Sequence, residues 1–220
     1  MPIFRIQKKI SFTSIIWDWN GTLLNDSDFC VKTINTLLAD RNLPLLSKDK
    51  YKEVFTFPVK KYYEKSGFDF TKEDFAVPAQ QFIDRYNAGV FQCNLHTTAK
   101  HILKVLQAKN IRQFVLSAMK QDMLEQTLNH HQITNFFEVI AGLNDHYAVS
   151  KIDQGRLLLS NSGINKKEAC IIGDTIHDFE VATELGIDCI LIANGHQSKK
   201  RLQSTTASVF NSIEELLEIL

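Results

Sequence analysis

The stretch FTSIIWDWNGTLL, residues 12–24, decides the fold of this 220-residue chain. Residues 12–17 form a short apolar run rich in branched and aromatic side chains, which predicts a buried strand rather than a helix. The run ends at Asp18 and enters a tight turn that Gly21 permits. In a parallel sheet the carboxyl ends of the strands border the crevice where ligands bind. We therefore expect Asp18 to lie in a functional site.

Apolar runs of the same kind recur at residues 111–116, 137–141, 169–172 and 189–192. Amphipathic helical patterns accompany the later runs, at residues 99–106, 123–130, 152–160 and 179–185. Strands that alternate with helices are typical of a parallel α/β sheet. The sequence thus predicts an α/β fold with a Rossmann-like parallel sheet as its core.

About 90 residues separate the first predicted strand from the second, although a crossover between parallel strands commonly needs only a dozen or more. Residues 25–94 carry helical patterns broken by prolines, and their aromatic side chains alternate with lysines. We predict a helical cap at 25–94, inserted into a core formed by 1–24 and 95–220. Residues 1–10 fit either an edge strand or a tail.

The composition limits the kinds of partner. Lys plus Arg and Asp plus Glu each number 25, so no net charge draws the chain onto nucleic acid or an anionic membrane. No apolar stretch approaches the roughly 20 residues of a membrane span, and no signal-peptide pattern is present at the N-terminus. Four widely spaced cysteines without a CxxC pair are typical of a reducing compartment. We expect a cytoplasmic monomer or homodimer that acts on a small molecule, without nucleic-acid or membrane partners.

Polar residues follow two more of the predicted strands. Ser117 comes directly after 111–116, and Gly173-Asp174 follows 169–172. Lys151 lies where the helix predicted at 152–160 begins. These positions gather two carboxylates and a hydroxyl at one edge of the sheet.

The loop at 18–24, DWNGTLL, closely resembles DxDGTL, the first motif of the haloacid dehalogenase superfamily. Ser117, Lys151 and the segment GDTIHD at 173–178 are similar to the other three motifs and follow in the same order. The resemblance covers nearly the whole chain, cap position included. It is closest to the subfamily I phosphatases, such as the phosphoglycolate phosphatase group, and implies hydrolysis of a small phosphate ester.

The resemblance implies a role for each motif residue. Asp18 is the nucleophile that forms an aspartyl-phosphate, which splits one displacement into two steps. Thr22 and Ser117 donate hydroxyl hydrogen bonds to the phosphate oxygens, and the Lys151 ammonium holds both Asp18 and the phosphoryl group. These assignments suit the chemistry of the side chains.

A Mg²⁺ ion completes the set that the resemblance implies. Its ligands are the carboxylates of Asp18 and Asp174 and the backbone carbonyl of Asn20, while Asp178 holds a ligand water or the loop. Oxygen ligands of this kind are those that Mg²⁺ prefers. Without a cation, a carboxylate nucleophile is repelled by an anionic phosphate.

Asn20 departs from the superfamily pattern, which has an acid/base aspartate at this position. A carboxamide cannot exchange a proton near neutral pH. Loss of general acid/base catalysis typically costs about 10²–10⁴ in rate, or roughly 3–5 kcal/mol of barrier. The favoured interpretation is a phosphatase that is slow, or selective for substrates with good leaving groups.

Three alternatives stay open at this point. Phosphonoacetaldehyde hydrolases also lack the aspartate and use a cap lysine as a Schiff base, for which Lys60 or Lys61 is the candidate here. A catalytically silent phosphate- or metal-binding protein would keep the fold without turnover. Haloacid dehalogenase activity itself is the least favoured, because those enzymes work without the metal that Asp174 and Asp178 suit.

Overall fold

A computed structural model describes residues 12–143 and 150–218. Strands β1 to β8 span Ser14–Trp17, Leu24–Asn25, Asn94–Leu95, Arg112–Lys120, Val139–Leu143, Ala169–Gly173, Asp188–Ile192 and Ser208–Phe210. Helices α1 to α9 span Ser27–Ala39, Lys48–Val54, Val59–Lys65, Ala76–Gly89, Ala99–Ala108, Gln121–His130, Lys151–Ser162, Ile176–Leu185 and Lys199–Leu202. The structure of residues 1–10, for which two interpretations were left open, lies outside the described residues.

Six of the strands form one sheet in the order β5-β4-β1-β6-β7-β8. Every pairing in this sheet is parallel. Helices connect its strands, so the predicted α/β fold with a Rossmann-like parallel core is confirmed. The strand predicted at residues 12–17 is β1, which pairs with β4 on one side and β6 on the other.

The central strand β1 is apolar on both of its faces. Ile15 and Trp17 pack into one hydrophobic cluster, whereas Ile16 packs into a second cluster. Side chains alternate across a strand, and a parallel sheet is covered by helices on both faces. The unbroken apolar run SIIW is what such a position requires.

The sheet differs from the prediction in two places. Strand β4 continues to Lys120, with a shift in its register against β5 between Leu116 and Lys120. Ser117 therefore lies within the irregular part of this strand rather than after its end. The edge strand β8 was not predicted, because three partly exposed residues give no clear apolar run.

Helices α1 to α4, which we call the helical insertion, lie between β2 and β3 in the chain. These two short strands pair antiparallel, with Leu24 opposite Leu95, so both connections to the sheet run side by side. Aromatic side chains fill the interior of the insertion, and those of Tyr62, Tyr63 and Phe68 are buried there. Burial of large aromatic rings stabilises such a small helical unit.

Within the described residues, every helix is too short or too polar to cross a membrane. Cys30, Cys93 and Cys170 are buried, and all four cysteines are free thiols.

Candidate active site

Three carboxylates meet at the carboxyl edge of the sheet. Asp18 follows β1 and Asp174 follows β6, which are neighbouring strands. Asp178 lies in the first turn of α8. Ligand atoms of the three lie within 4.8 Å of one another, and all three side chains are buried. The parallel pairing of β1 with β6 is what brings together residues 156 positions apart.

Lys151 is the cation of this cluster. It is the first residue of α7, which Ser150 caps by accepting a hydrogen bond from the Asp153 amide. The Lys151 ammonium lies 2.5 Å from Asp18 Oδ1 and 2.6 Å from Asp178 Oδ1. Burial lowers the pKa of Lys151, but the two carboxylates outweigh burial and raise it overall. Lys151 is therefore a permanent charge between them.

The carboxyl of Asp18 is destabilised in its charged form. Burial raises the pKa of Asp18 to about 8 against the attraction of Lys151, and the charges of Asp178 and Asp174 raise it further. A site with three buried carboxylates and one ammonium carries excess negative charge. This excess negative charge favours the binding of an additional cation.

Asp178 is held by the backbone that it helps to cap. Its Oδ2 accepts hydrogen bonds from the amides of Asp174 and Thr175 and from the Thr175 hydroxyl. Thr175 in turn accepts a bond from the Asp178 amide, so the two form a capping box at the start of α8. Burial raises the pKa of Asp178, but Lys151 and the Thr175 hydroxyl outweigh burial and lower it overall. Asp178 is thus charged and fixes the loop that carries Asp174.

Both oxygens of Asp174 have donors. Oδ1 accepts from the Thr22 hydroxyl at 3.1 Å, and Oδ2 accepts from the His196 backbone amide at 2.5 Å. Burial raises the pKa of Asp174 to about 6 although His196 lowers it. The hydroxyl predicted to bind phosphate, that of Thr22, faces Asp174 here. Ser117 is also buried, and its Oγ accepts a bond from the Met119 amide at 3.0 Å.

Asn20 lies in the turn after Asp18, and its carboxamide donates hydrogen bonds to two other side chains. Its Nδ2 donates to Asp26 Oδ2 at 2.9 Å and to the Tyr86 hydroxyl at 2.7 Å. A carboxylate accepts only, so the amide nitrogen must be the atom that faces Asp26. Asp26 precedes α1 and Tyr86 belongs to α4.

His196 is a residue of this site that sequence reasoning missed. Its Nε2 lies 3.2 Å from Asp26 Oδ1, and its Nδ1 lies 2.8 Å from the Tyr51 hydroxyl. Burial lowers the pKa of His196, but Asp26 outweighs burial and raises it to about 9. His196 follows β7 by four residues, so the rule that polar residues cluster after parallel strands would have drawn attention to it.

Two glycines leave room for the side chains of Asp174 and His196. A Cβ on Gly21, whose φ is +75°, would clash with Asp174 and the His196 ring. A Cβ on Gly195 would clash with the Asp174 carboxylate. The turn after β1 and the loop after β7 therefore close around Asp174 only because neither carries a side chain there.

The donor set fits a divalent cation that prefers oxygen. Asp18, Asp174 and Asp178 offer buried carboxylate oxygens at mutual distances that one ion can span, and the surplus negative charge of the cluster favours it. Mg²⁺ is suited to such hard, anionic ligands. Three of the four residues predicted for a magnesium site, Asp18, Asp174 and Asp178, are thus close together.

The helical insertion covers this edge of the sheet. Arg201, in α9, donates to the carbonyls of Lys52 and Phe55 at the end of α2, at 2.9 and 2.5 Å. The Gln197 amide donates to the same Phe55 carbonyl at 3.0 Å. The Phe57 ring stacks on His177 with 4.5 Å between centroids. Asp18, at the same edge, is only 7% exposed.

The sequence model of one protein family, the haloacid dehalogenase-like hydrolases, matches residues 15–192. The matched range includes Asp18, Ser117, Lys151 and the loop of Asp174. The chain belongs to the haloacid dehalogenase-like hydrolases. The family resemblance and the predicted hydrolase class are confirmed by this match. Hydrolases of this family generally use a divalent metal, usually Mg²⁺.

Two curated relatives are similar to this haloacid dehalogenase-like hydrolase over most of its length. The Tyrosine-protein kinase PtkA of Mycobacterium tuberculosis is 24% identical over 210 residues, which are 94% of this chain and 72% of that protein. A 5'-nucleotidase of Pseudomonas aeruginosa is 20% identical over 198 residues, 89% of each chain. A crystal structure described as a predicted phosphoglycolate phosphatase from Haemophilus somnus superposes with a TM-score of 0.77 at 20% identity and covers 94% of this chain and 97% of the other. These similarities agree with the fold derived above.

Proposed function

We propose that this hydrolase is a magnesium-dependent phosphatase of small phosphate monoesters that works through an aspartyl-phosphate on Asp18. The single observation that carries the proposal is the buried cluster of Asp18, Asp174, Asp178 and Lys151 at the carboxyl edge of the sheet. A phosphoryl group there meets a carboxylate nucleophile and an ammonium in contact with it. The similarity to a 5'-nucleotidase supports a phosphate ester as substrate.

The chemistry follows from the residues. An oxygen of Asp18 attacks phosphorus as the bond from phosphorus to the leaving oxygen breaks, and water later releases phosphate from Asp18. Lys151 orients Asp18 and offsets charge on the phosphoryl oxygens. Mg²⁺, when held by Asp18, Asp174 and the Asn20 carbonyl, supplies charge neutralisation. Thr22 and Ser117 are the proposed hydroxyl donors to phosphate, which for Thr22 requires it to leave Asp174.

Asn20 limits which substrates react. It cannot protonate a leaving oxygen, and its amide hydrogens are directed to Asp26 and Tyr86. A leaving group that departs as a stable anion needs no such proton, as with acyl or aryl phosphates. We therefore propose that the enzyme is selective for good leaving groups and slow on alkyl esters.

The burial of the nucleophile supports a small substrate and a moving cap. Asp18 is 7% exposed and Asp174 is fully buried, so a substrate enters only when the helical insertion moves. We propose that residues 25–94 act as a cap on a core of 1–24 and 95–220. Closure then excludes water from the phosphoryl group.

The test is phosphate release with Mg²⁺ across monoesters whose leaving groups differ in pKa. Wild-type rates should fall steeply as leaving-group pKa rises, and Asp18→Asn should abolish turnover. Asp188→Asn, an exposed aspartate at the start of β7, is the matched control and should behave as wild type. Equal rates for wild type and Asp18→Asn would exclude the proposal. Binding of Mg²⁺ and phosphate with no turnover of any ester would instead identify a silent binding protein.

A second candidate is phosphoryl transfer from Asp18 to a hydroxyl other than water. Asn20 cannot activate water, and a relative bears the name of a tyrosine kinase. Added alcohols or tyrosine peptides should then take up labelled phosphate in competition with water. No comparable observation favours a Schiff-base mechanism, because Lys60 and Lys61 are exposed and the Lys60 ammonium lies over the Phe70 ring.

A further inference from the structure

Three side chains from different parts of the chain form a closed hydrogen-bonded triangle beside the nucleophile. Asn20 Nδ2 donates to Asp26 Oδ2 at 2.9 Å and to the Tyr86 hydroxyl at 2.7 Å. The Tyr86 hydroxyl donates to Asp26 Oδ2 at 2.6 Å. Asp26 is fully buried and Tyr86 is nearly so. Each of the three edges therefore has one donor and one acceptor.

The triangle accepts one carboxylate and one carboxamide, and it does not accept two carboxylates. A carboxylate offers only acceptors, a carboxamide nitrogen offers two donors, and a hydroxyl offers one donor and accepts as well. With ionised aspartates at both positions 20 and 26, the edge between them has no donor. Two buried like charges would then face each other at hydrogen-bonding distance.

Asp26 is anchored as the carboxylate by groups outside the triangle. Its Oδ1 accepts from the Gly21 amide at 2.8 Å and lies 3.2 Å from Nε2 of His196. The Gly21 amide belongs to the turn that follows Asp18, so the carboxylate also fixes the backbone of that turn. His196 in turn binds Asp174 through its amide.

We propose that Asp26 is a positioning residue of the active site, which holds the turn after Asp18 and requires a carboxamide at position 20. The inference goes beyond the proposed function, because it explains the departure at Asn20 by a compensating acid six residues later. It rests on that function only for its activity readout. Positions 20 and 26 therefore act as a pair. Placing aspartate at position 20 alone should not create an acid/base group there.

The geometry also predicts which change would place an acid/base group at position 20. In the double variant Asn20→Asp/Asp26→Asn, the amide nitrogen at position 26 donates to position 20 and to the Tyr86 oxygen. The Tyr86 hydroxyl rotates to donate to position 20. The carboxamide oxygen at position 26 still accepts from Gly21 and His196, and the total charge is unchanged. The double variant thus keeps the hydrogen bonds of the triangle, with the carboxylate and the carboxamide exchanged between positions 20 and 26.

The experiment is a double-mutant cycle of thermal melting without substrate or metal, with wild type, Asn20→Asp, Asp26→Asn and the double variant. Each single variant should lower Tm by about 5 °C or more, because a buried group loses its partner. The double variant should melt above both singles. Asn135→Asp, at an exposed asparagine, is the matched control and should leave Tm unchanged. Losses that simply add in the double variant would overturn the proposal.

Activity gives a second readout that stability alone would not move. With an alkyl phosphate and Mg²⁺, the double variant should turn over at least about tenfold faster than Asn20→Asp, because only the former has a carboxyl at position 20 that faces donors rather than a second carboxylate and can take up and release a proton. If Asn20→Asp does not fold, recovery of folded protein in the double variant supports the proposal, and its failure to recover sinks it. Since melting needs no turnover, loss of the proposed phosphatase function would leave the coupling test intact.

Discussion

The Nζ atom of Lys151 lies 2.5 Å from Oδ1 of Asp18, and both side chains are buried. The contact joins the start of α7 to the end of β1, across 133 positions of sequence. It leaves the nucleophile candidate already paired with the cation that a phosphoryl group would meet. The contact thus places a positive charge where charge would develop on a phosphoryl group bound to Asp18.

Replacing Lys151 with Met should be costly for both function and stability. The change leaves Asp18 and Asp178 without their shared cation, and breaking a buried pair typically costs about 3–5 kcal/mol. Phosphate release should fall by about 10²–10³. Mg²⁺ should raise the Tm of the variant more than that of wild type, because the ion replaces the missing charge. Arg156→Met, at an exposed arginine on the same helix, should change neither rate nor metal response.

The pH dependence of stability should report on His196. Its pKa is raised from 6.5 to about 9 in the fold, so its contribution is fully present below pH 6.5 and is lost as pH rises through about 9. The contribution is on the order of 3 kcal/mol at most. Urea unfolding in EDTA should show wild type losing more stability between pH 6 and pH 9.5 than His196→Gln does. Parallel curves for the two proteins would refute the His196–Asp26 ion pair.

A phosphoenzyme should accumulate with substrates that have good leaving groups. Formation of phospho-Asp18 then needs no acid, whereas its hydrolysis lacks a base at Asn20 and should be slower by about 10²–10⁴ than with an aspartate there. Acid quench after mixing with an acyl phosphate should give a protein heavier by one phosphoryl group, mapped to Asp18 by borohydride reduction. Asp18→Asn should show no such mass. A steady state without phosphoenzyme in wild type would contradict this order of rates.

Arg201 should control how tightly the helical insertion is held over the site. Arg201→Ala removes donors to the Lys52 and Phe55 carbonyls, so amide hydrogen exchange should rise in α2. We expect a stability loss of about 1–2 kcal/mol and a change in KM larger than that in kcat. Lys200→Ala, at the exposed neighbouring position, should leave exchange in α2 unchanged. Unaltered exchange in Arg201→Ala would mean that other contacts hold α2.

Gly195→Ala should weaken metal binding specifically. The added Cβ meets the Asp174 carboxylate, which must move from its place beside Thr22 and the His196 amide. Calorimetric titration should give a Mg²⁺ affinity at least about tenfold lower than that of wild type. Gly163→Ala adds a side chain at φ +60° with nothing within 4 Å, so it should cost stability without weakening Mg²⁺ binding. Equal metal affinity in Gly195→Ala and wild type would argue that Asp174 is not a ligand.

The cap, the site roles and the cytoplasmic location stay predictions. The structure brings Asp18, Asp174, Asp178 and Lys151 together, which is the arrangement that the motif order led us to expect. The Thr22 hydroxyl, by contrast, already donates its hydrogen to Asp174 and has none left for a phosphate oxygen. The phosphate assignment of Thr22 therefore depends on movement in the turn.

The sequence by itself determined the α/β class and the positions of the main strands along the chain. Runs such as SIIW and ACIIG are short, branched and apolar, and only a strand buried on both faces suits them. Because parallel strands end at one edge, Asp18 and Asp174 could be expected to meet there without knowing the register. These are consequences of local pattern and chain direction.

Only the tertiary structure decided what surrounds Asn20. Asp26, Tyr86 and His196 come from the start of α1, the interior of α4 and the loop after β7, and no local pattern predicts that they converge. Their meeting depends on how the helical insertion packs on the sheet, which is set by many long-range contacts together. Residues far apart in the sequence acquire a joint chemistry only once that packing places donors opposite acceptors in a buried site.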